Sequence, residues 1–368
     1  MDLQSWLSMN PIKLSGWKMA VIPILGICAF IAYLYLLRVD IPQIISIIQQ
    51  ANPRFYLLAA LFVFLDVFFL SEAWRVLLRH LSVKLSVLRA YIYVWYSLFI
   101  DIIVPAESIS GEFSRLYLVS RDYGNDVSGK VVASLVAHRL IGMTIGFLSL
   151  ILGLSMLLSE TQINSIIFNI SLFLITATAI LIVLLLLLCI KEQWTLRLID
   201  LLLKAIEFVS KGRWKPTKIR DEAQKLANMF HSSILEFGRA PNVIVSALLL
   251  SSLSWFSYLA TSYLVFLSLG FKVSWSVILV SQSIISAVKS IPLGIPFEVG
   301  LPEITMVTIY SVLGVPSGIS ATSTILNRVL TLWLRFFVGF FVQQFFELKQ
   351  ITTKLKTELD KPKSSKIY

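Results

Sequence analysis

Two arginines lie inside long apolar stretches, where charge is expensive, and they are 189 residues apart: Arg139 and Arg328. An arginine near a bilayer centre costs about 2.5–3.5 kcal/mol on insertion scales, so each needs a partner or a water-filled cavity. A planar guanidinium is suited to bidentate binding of a phosphate or carboxylate. It can equally form an internal ion pair, for which Glu112 and Glu303 are the obvious partners. The sequence therefore predicts an anion site, a structural ion pair, or both, in each half of the chain.

Five further polar side chains fall in or beside the same apolar stretches: Arg115, Lys289, His138, Asn327 and Asp66. Arg115 and Lys289 are candidate contacts for an anionic group, although Lys289 could instead extend toward the membrane surface. His138 is a candidate proton relay or a hydrogen-bonded packing residue. Asp66 lies deep in its stretch, so it is a candidate for proton coupling.

Proline and glycine interrupt the chain just before each arginine-bearing stretch. Pro105 and Gly111 precede the first, and Pro296 and Gly300 precede the second. We expect these four residues to form the turns of helical hairpins. A helix that begins near Glu112 or Glu303 would direct free backbone N–H groups toward an anion.

The same order of elements occurs twice, about 188 residues apart. Residues 81–86 are LSVKLS and residues 269–274 are LGFKVS; each is followed by an apolar stretch, a broken loop and a long helix. Gly111 and Gly300 are 189 residues apart, as are the two buried arginines. Two copies of one unit in a membrane chain are typical of transporters whose site lies between the copies.

The composition indicates a polytopic all-α membrane protein. Mean hydropathy is +0.81 and only 14% of the residues are charged, whereas soluble domains have about 25%. The net charge of +11 is explained by membrane orientation, because cytoplasmic loops collect Lys and Arg, so we expect no nucleic-acid partner. Two cysteines and three histidines without paired spacing predict no metal site, and we expect no cofactor.

Eight apolar runs are present, and they are listed here by residue number: 19–37, 55–78, 89–104, 131–158, 165–190, 241–269, 275–291 and 318–345. If all eight crossed the membrane, the loop from Lys191 to Arg239, with its ten Lys/Arg, would lie outside. That placement violates the positive-inside rule. The conflict disappears if runs 89–104 and 275–291 are re-entrant. We therefore expect six full spans plus two re-entrant helical hairpins in an inverted-topology repeat.

This topology divides the chain into five parts. They are a cytoplasmic N-terminal segment (1–18), a first membrane half (19–190, hairpin about 89–121), a basic cytoplasmic connector (191–240), a second half (241–345, hairpin about 275–314) and a charged cytoplasmic tail (346–368). Both termini are expected in the cytoplasm, and the membrane is expected to be the plasma membrane. The sequence has no Walker-type phosphate loop, which would be expected of an ATP-hydrolysing domain.

The order Pro105, Gly111-Glu112, Arg115 and then Arg139 resembles the flippase-like transmembrane domain of lysylphosphatidylglycerol synthases. The segment Pro296 to Glu303 is similar to the family's Pro-Gly-Gly-Leu-Gly-x-x-Glu segment, and Arg328 to its later arginine. The resemblance covers roughly residues 15 to 345. It identifies the chain as a free-standing member, without the soluble aminoacyl-transferase domain.

The resemblance implies a lipid flippase that is not itself an enzyme. It would move an anionic phospholipid or a polyprenyl-phosphate-linked lipid between leaflets, with Arg139, Arg328, Arg115 and Lys289 contacting the phosphate. Two alternatives stay open from the sequence. One is a small-solute or ion secondary transporter; the other is a non-transporting subunit that presents lipid to a separate synthase or glycosyltransferase.

Overall fold

A computed structural model describes residues 35, 41–104, 109–160, 164–209, 217–290 and 300–346. Within these ranges the chain is α-helical, with no strand. The run at 19–37 and the turn residues Pro105 and Pro296 lie outside the described residues.

Twelve helices of nine or more residues follow one another in the described ranges. They are α1 (Ile41–Gln49), α2 (Pro53–His80), α3 (Val87–Ile103), α4 (Ile109–Tyr123), α5 (Ser128–Glu160), α6 (Ser165–Ile190), α7 (Glu192–Val209), α8 (Thr217–Gly238), α9 (Pro241–Ser268), α10 (Trp275–Lys289), α11 (Leu301–Val312) and α12 (Ser317–Phe346). A 3₁₀ turn, Asn125–Val127, precedes α5.

Five of these helices are long and apolar enough to cross a membrane: α2, α5 with its preceding turn, α6, α9 and α12. They correspond to five of the six expected full spans. The expected re-entrant segments fold as pairs of shorter helices, α3 with α4 and α10 with α11. At about 1.5 Å per residue, α3 and α10, with 17 and 15 residues, are about 25 and 22 Å long. Both are shorter than a hydrocarbon core of about 30 Å.

Capping residues explain where the helices of the repeat begin. The side chain of Ser86 accepts a hydrogen bond from the Arg89 backbone at the start of α3. Ser274 accepts one from the Ser276 backbone at the equivalent start of α10. Serine at this position satisfies a backbone N–H that the helix leaves free. The serine that ends each of the two matching sequence segments therefore has the same local role.

The repeat expected from the sequence is present as four matching helices. Helices α2 to α5 form the first copy, and α9 to α12 form the second. Helices α2 and α9 both have 28 residues and a proline in the first turn, and they begin 188 residues apart. The starts of α3 and α10 have the same spacing. The equivalence thus extends through whole helices and does not rest on a few identical residues.

Helices α2 and α9 pack against each other in opposite directions. The backbone N–H of Asn52, just before α2, donates to the carbonyl of Ser268 at the end of α9, at 2.7 Å. At the other end, the His80 ring stacks on Phe237, which lies just before α9, with centroids 5.9 Å apart. Equivalent helices of the two copies are therefore antiparallel.

The two copies also exchange packing partners. The long helix α5 of the first copy packs on α10 of the second, and Gly153 is so close to α10 that a Cβ there would lie 2.6 Å from the Leu279 Cβ. On the other side, α12 packs on α3, where a Cβ at Gly339 would overlap Phe99. Because each long helix supports the short helix of the other copy, the two copies form one body.

Candidate functional site

The first-half arginine forms an ion pair with the start of α4. Arg139 Nη1 donates to Glu112 Oε1 at 3.0 Å, and the two side chains are 37% and 26% exposed. Glu112 is in the first turn of α4, where the helix dipole favours a negative charge. The pair joins α4 to α5, and it is partly open to its surroundings.

The second-half arginine forms the equivalent pair in a closed environment. Arg328 Nε donates to Glu303 Oε1 at 2.5 Å, with side chains only 6% and 7% exposed. Glu303 Oε2 also accepts from the Gly300 backbone N–H at 2.7 Å. Gly300 has φ +105°, a conformation that favours glycine, so it forms the expected turn at the start of α11.

Gly111 differs from its expected role as a hairpin turn. It lies inside the first turn of α4, and its backbone N–H donates to Asp101 Oδ1 at 2.6 Å. Ser110 Oγ donates to the same oxygen at 2.7 Å. A Cβ at Gly111 would overlap the Asp101 carboxylate. The glycine is therefore needed for close approach of α3 to α4 and not for a turn.

Arg115 is buried beside the first ion pair. Its guanidinium carbon lies 5.1 Å from the centre of the Trp74 ring, a distance typical of a cation–π contact. Its Nε and Nη1 atoms have no hydrogen-bond partner in the structure. Buried donors of this kind are rare in native proteins. Arg115 thus retains unused capacity to donate hydrogen bonds to an anion.

A polar cavity of about 260 Å³ lies between the two copies. Residues of α2, α5, α9, α10 and α12 line it, and its polar side chains include Asp66, His138, Ser254, Tyr258, Lys289 and Arg335. Asp66 and Ser254 lie midway along the spanning helices α2 and α9. The cavity is therefore at the depth of the membrane centre, where polar groups are costly and usually functional.

Asp66 connects both copies within this cavity. Its Oδ1 accepts from Ser254 Oγ at 2.6 Å, and its Oδ2 accepts from Arg335 Nη2 at 2.5 Å. These partners lie 188 and 269 residues away in the sequence. A buried carboxylate that is paired and hydrogen-bonded in this way can remain charged.

A π-helical segment, Val329–Leu334, separates Arg328 from Arg335 in α12. Such wide turns are rare and often occur at functional sites. Arg328 pairs with Glu303 of α11, whereas Arg335 pairs with Asp66 of α2. One helix thus supplies a guanidinium both to its own copy's short helix and to the central cavity.

The cavity brings together three of the candidate site residues, Asp66, His138 and Lys289. Four others do not line it: Arg139, Arg328, Arg115 and Asn327, of which Asn327 donates to Ser262 Oγ at 3.1 Å. The sequence analysis missed Arg335 as a site residue. The available signal was a second cation, seven residues after Arg328, in the same apolar run.

The described residues do not bring three His, Cys, Asp or Glu side chains together as a metal site. The cavity's donors are cations and hydroxyl groups, which suit an anion better than a metal ion.

The helices and the cavity define an integral membrane protein of the all-α polytopic class. The chain belongs to the family described as the lysylphosphatidylglycerol synthase TM region, which matches residues 19–339. It is also similar to UPF0104 membrane proteins of three archaea. Identity is 24% over 309 residues with that of Pyrococcus horikoshii, covering 81% of this chain and 89% of the relative. It is 26% over 353 residues with that of Methanocaldococcus jannaschii, covering 93% and 96%. It is 21% over 327 residues with that of Methanothermobacter thermautotrophicus, covering 86% and 92%.

Proposed function

We propose that the two copies form an inverted-topology repeat, with six full spans and two re-entrant pairs, α3–α4 and α10–α11. Three observations support this arrangement: the antiparallel packing of α2 and α9, the shortness of the paired helices and the basic connector between the copies. Both termini would then lie in the cytoplasm, and the membrane would be the plasma membrane.

Labelling of single cysteines from each side tests this topology. The exposed residues Lys84 and Asp126 flank the first pair, and Lys272 and Ser317 flank the second. In a variant without the native cysteines, we expect cysteines at the first two positions to react only from the cytoplasm. Those at the other two should react only from outside. Reaction of Lys84→Cys and Asp126→Cys from opposite sides would show that the first pair crosses fully.

We infer that the protein is a lipid flippase that moves an anionic phospholipid or a polyprenyl-phosphate-linked lipid between leaflets. The observation that carries this proposal is the cavity at mid-membrane depth, which contains the Lys289 ammonium and the Arg335 guanidinium. Both cations suit a phosphate. Membership of the lysylphosphatidylglycerol synthase TM region family supports a lipid over other anions.

The cavity lowers the main barrier to lipid crossing, which is desolvation of the headgroup charge. An isolated anion in hydrocarbon is strongly disfavoured. In the proposed mechanism, the phosphate exchanges water for the cations and hydroxyl groups of the cavity, while the acyl chains stay in the bilayer. No covalent bond changes, so the proposed protein is a transporter and not an enzyme.

The two Glu–Arg pairs are suited to act as gates on opposite sides of the cavity. The Glu112–Arg139 pair is partly exposed, whereas the Glu303–Arg328 pair is buried. We assign the described conformation as one that is more open on the side of the first pair. When a re-entrant pair moves, its arginine exchanges the glutamate for the lipid phosphate, and Arg115 assists on the first side.

Lipid movement in vesicles tests this function. Phosphatidylcholine vesicles would contain the protein and a trace of tail-labelled fluorescent phosphatidylglycerol or a labelled polyprenyl phosphate, and a membrane-impermeant reductant would report the outer-leaflet fraction. We expect the wild-type protein to expose inner-leaflet label. Arg335→Gln and Lys289→Gln should slow this at least tenfold. Arg121→Gln is the control, because Arg121 pairs with Asp122 outside the cavity.

Two results would contradict the proposal. If neither lipid moves but the vesicles accumulate a small anion, the protein is a solute transporter. If nothing moves while the purified protein retains lipid, the protein presents lipid to a separate synthase or glycosyltransferase.

A further inference from the structure

The Asp66–Arg335 ion pair occupies the cation that an incoming phosphate needs. Asp66 is only 7% exposed, and its Oδ2 lies 2.5 Å from Arg335 Nη2. Both groups line the cavity. A phosphate that binds this guanidinium would therefore approach the Asp66 carboxylate closely.

Two anions in this position repel each other strongly, because water screens them little at this depth. Neutralising Asp66 by a proton removes the repulsion. It also releases Arg335 from its strongest partner. The remaining partner of Asp66, the Ser254 hydroxyl, can hydrogen-bond to a protonated carboxyl as well as to a carboxylate.

Other polar groups also surround Asp66, and they come from every helix packed around α2. Helix α12 contributes Arg335, α9 contributes Tyr258, α5 contributes His138 and α10 contributes Lys289. From α3, the Tyr91 hydroxyl donates to the Phe64 carbonyl of α2. Asp66 is the carboxylate among the residues that line the cavity. It is therefore the group there that changes from negative to neutral by binding a proton.

We propose that Asp66 is a proton-coupling site and that each anionic headgroup crosses with one proton. This inference rests on the proposed flippase function. A proton from one aqueous side binds Asp66 Oδ2 as the Arg335 ion pair breaks, and Arg335 then pairs with a phosphate oxygen. On the other side the phosphate leaves, the proton dissociates into water and the ion pair forms again. For a singly charged phosphodiester, the loaded site carries no net charge across the membrane.

Counting protons during lipid binding tests the coupling directly. The purified full-length protein, in weakly buffered detergent with a pH-indicating dye, would be titrated with dihexanoyl phosphatidylglycerol. We expect uptake of about one proton per bound lipid where Asp66 starts ionised. By linkage, the apparent Kd should rise about tenfold per pH unit in that range.

Three variants separate Asp66 from other groups. Asp66→Asn should bind without proton uptake and with a Kd independent of pH. Ser254→Ala keeps the carboxylate and should keep the proton count. Asp122→Asn removes a carboxylate outside the cavity, one that accepts from the Tyr93 hydroxyl, and should also keep the count. The wild-type count remains decisive if Asp66→Asn fails to fold.

A pH gradient across vesicles provides the second measurement. We expect labelled phosphatidylglycerol to accumulate in the leaflet facing the alkaline side with wild-type protein. Binding and flipping without proton uptake or gradient response would overturn the coupling and leave the flippase function intact. Absence of both binding and flipping would overturn the flippase function and, with it, the coupling.

Discussion

Asp66 and Ser254 occupy the same position in the two copies of the repeat, 188 residues apart, and they are hydrogen-bonded to each other at 2.6 Å. Each lies midway along its helix, α2 or α9. Two equivalent positions can meet at the centre of antiparallel helices when a pseudo-twofold axis passes near them. The polar cavity lies at this axis, where both copies contribute to one site.

Cross-linking tests the antiparallel packing of α2 and α9. With the native cysteines replaced and a protease site placed between α7 and α8, Asn52→Cys with Ser268→Cys should form a disulfide. Their backbones are already joined by a 2.7 Å hydrogen bond, which is compatible with disulfide geometry. The two fragments should then stay together on a non-reducing gel. Asn52→Cys with Glu236→Cys joins opposite ends, and efficient cross-linking of that pair would contradict the packing.

The two Glu–Arg pairs should contribute unequally to stability. Arg328→Gln leaves Glu303 charged in a site where it is 7% exposed, so we expect a loss of about 3–5 kcal/mol. Arg139→Gln affects a pair that is one-third exposed, and solvent screening limits its loss to about 1 kcal/mol. Thermal unfolding in detergent, followed by size-exclusion recovery, measures both. Equal loss in the two variants would show that the environments are alike.

Two glycines of α5 offer a matched test of packing between the copies. Gly153→Ala places a Cβ 2.6 Å from the Leu279 Cβ, and such overpacking costs about 1–3 kcal/mol. Gly146 has no neighbour within 4 Å of an added Cβ. Gly146→Ala should therefore be neutral, or stabilising by about 0.5–1 kcal/mol through helix propensity. The same unfolding assay decides; a tolerant Gly153 would contradict the close contact of α5 with α10.

The repeat and its ion pairs could be predicted because they depend on sequence order. Hydrophobic runs and their spacing predicted which helices correspond. A buried arginine needs a counter-charge, and each half offers a glutamate at a helix start, Glu112 or Glu303. Both ion pairs are present in the structure.

The central cavity could not be predicted, because its partners meet only through the packing of distant helices. Asp66 and Arg335 are 269 residues apart, and no periodicity relates them. The π-helical segment before Arg335 has no simple sequence signal, so the run read as a regular helix. Gly111 was expected at a turn for a similar reason: a glycine needed for close helix contact and a glycine needed for a turn look alike in sequence.

The most direct test of the central claim is lipid mass spectrometry of the purified protein. It compares the wild type with Arg335→Gln and Lys289→Gln in the cavity, and with the folded control Arg121→Gln. The account predicts that anionic lipid co-purifies with the wild type and the control and falls at least tenfold in both cavity variants. Equal retention of anionic lipid by all four proteins would contradict it.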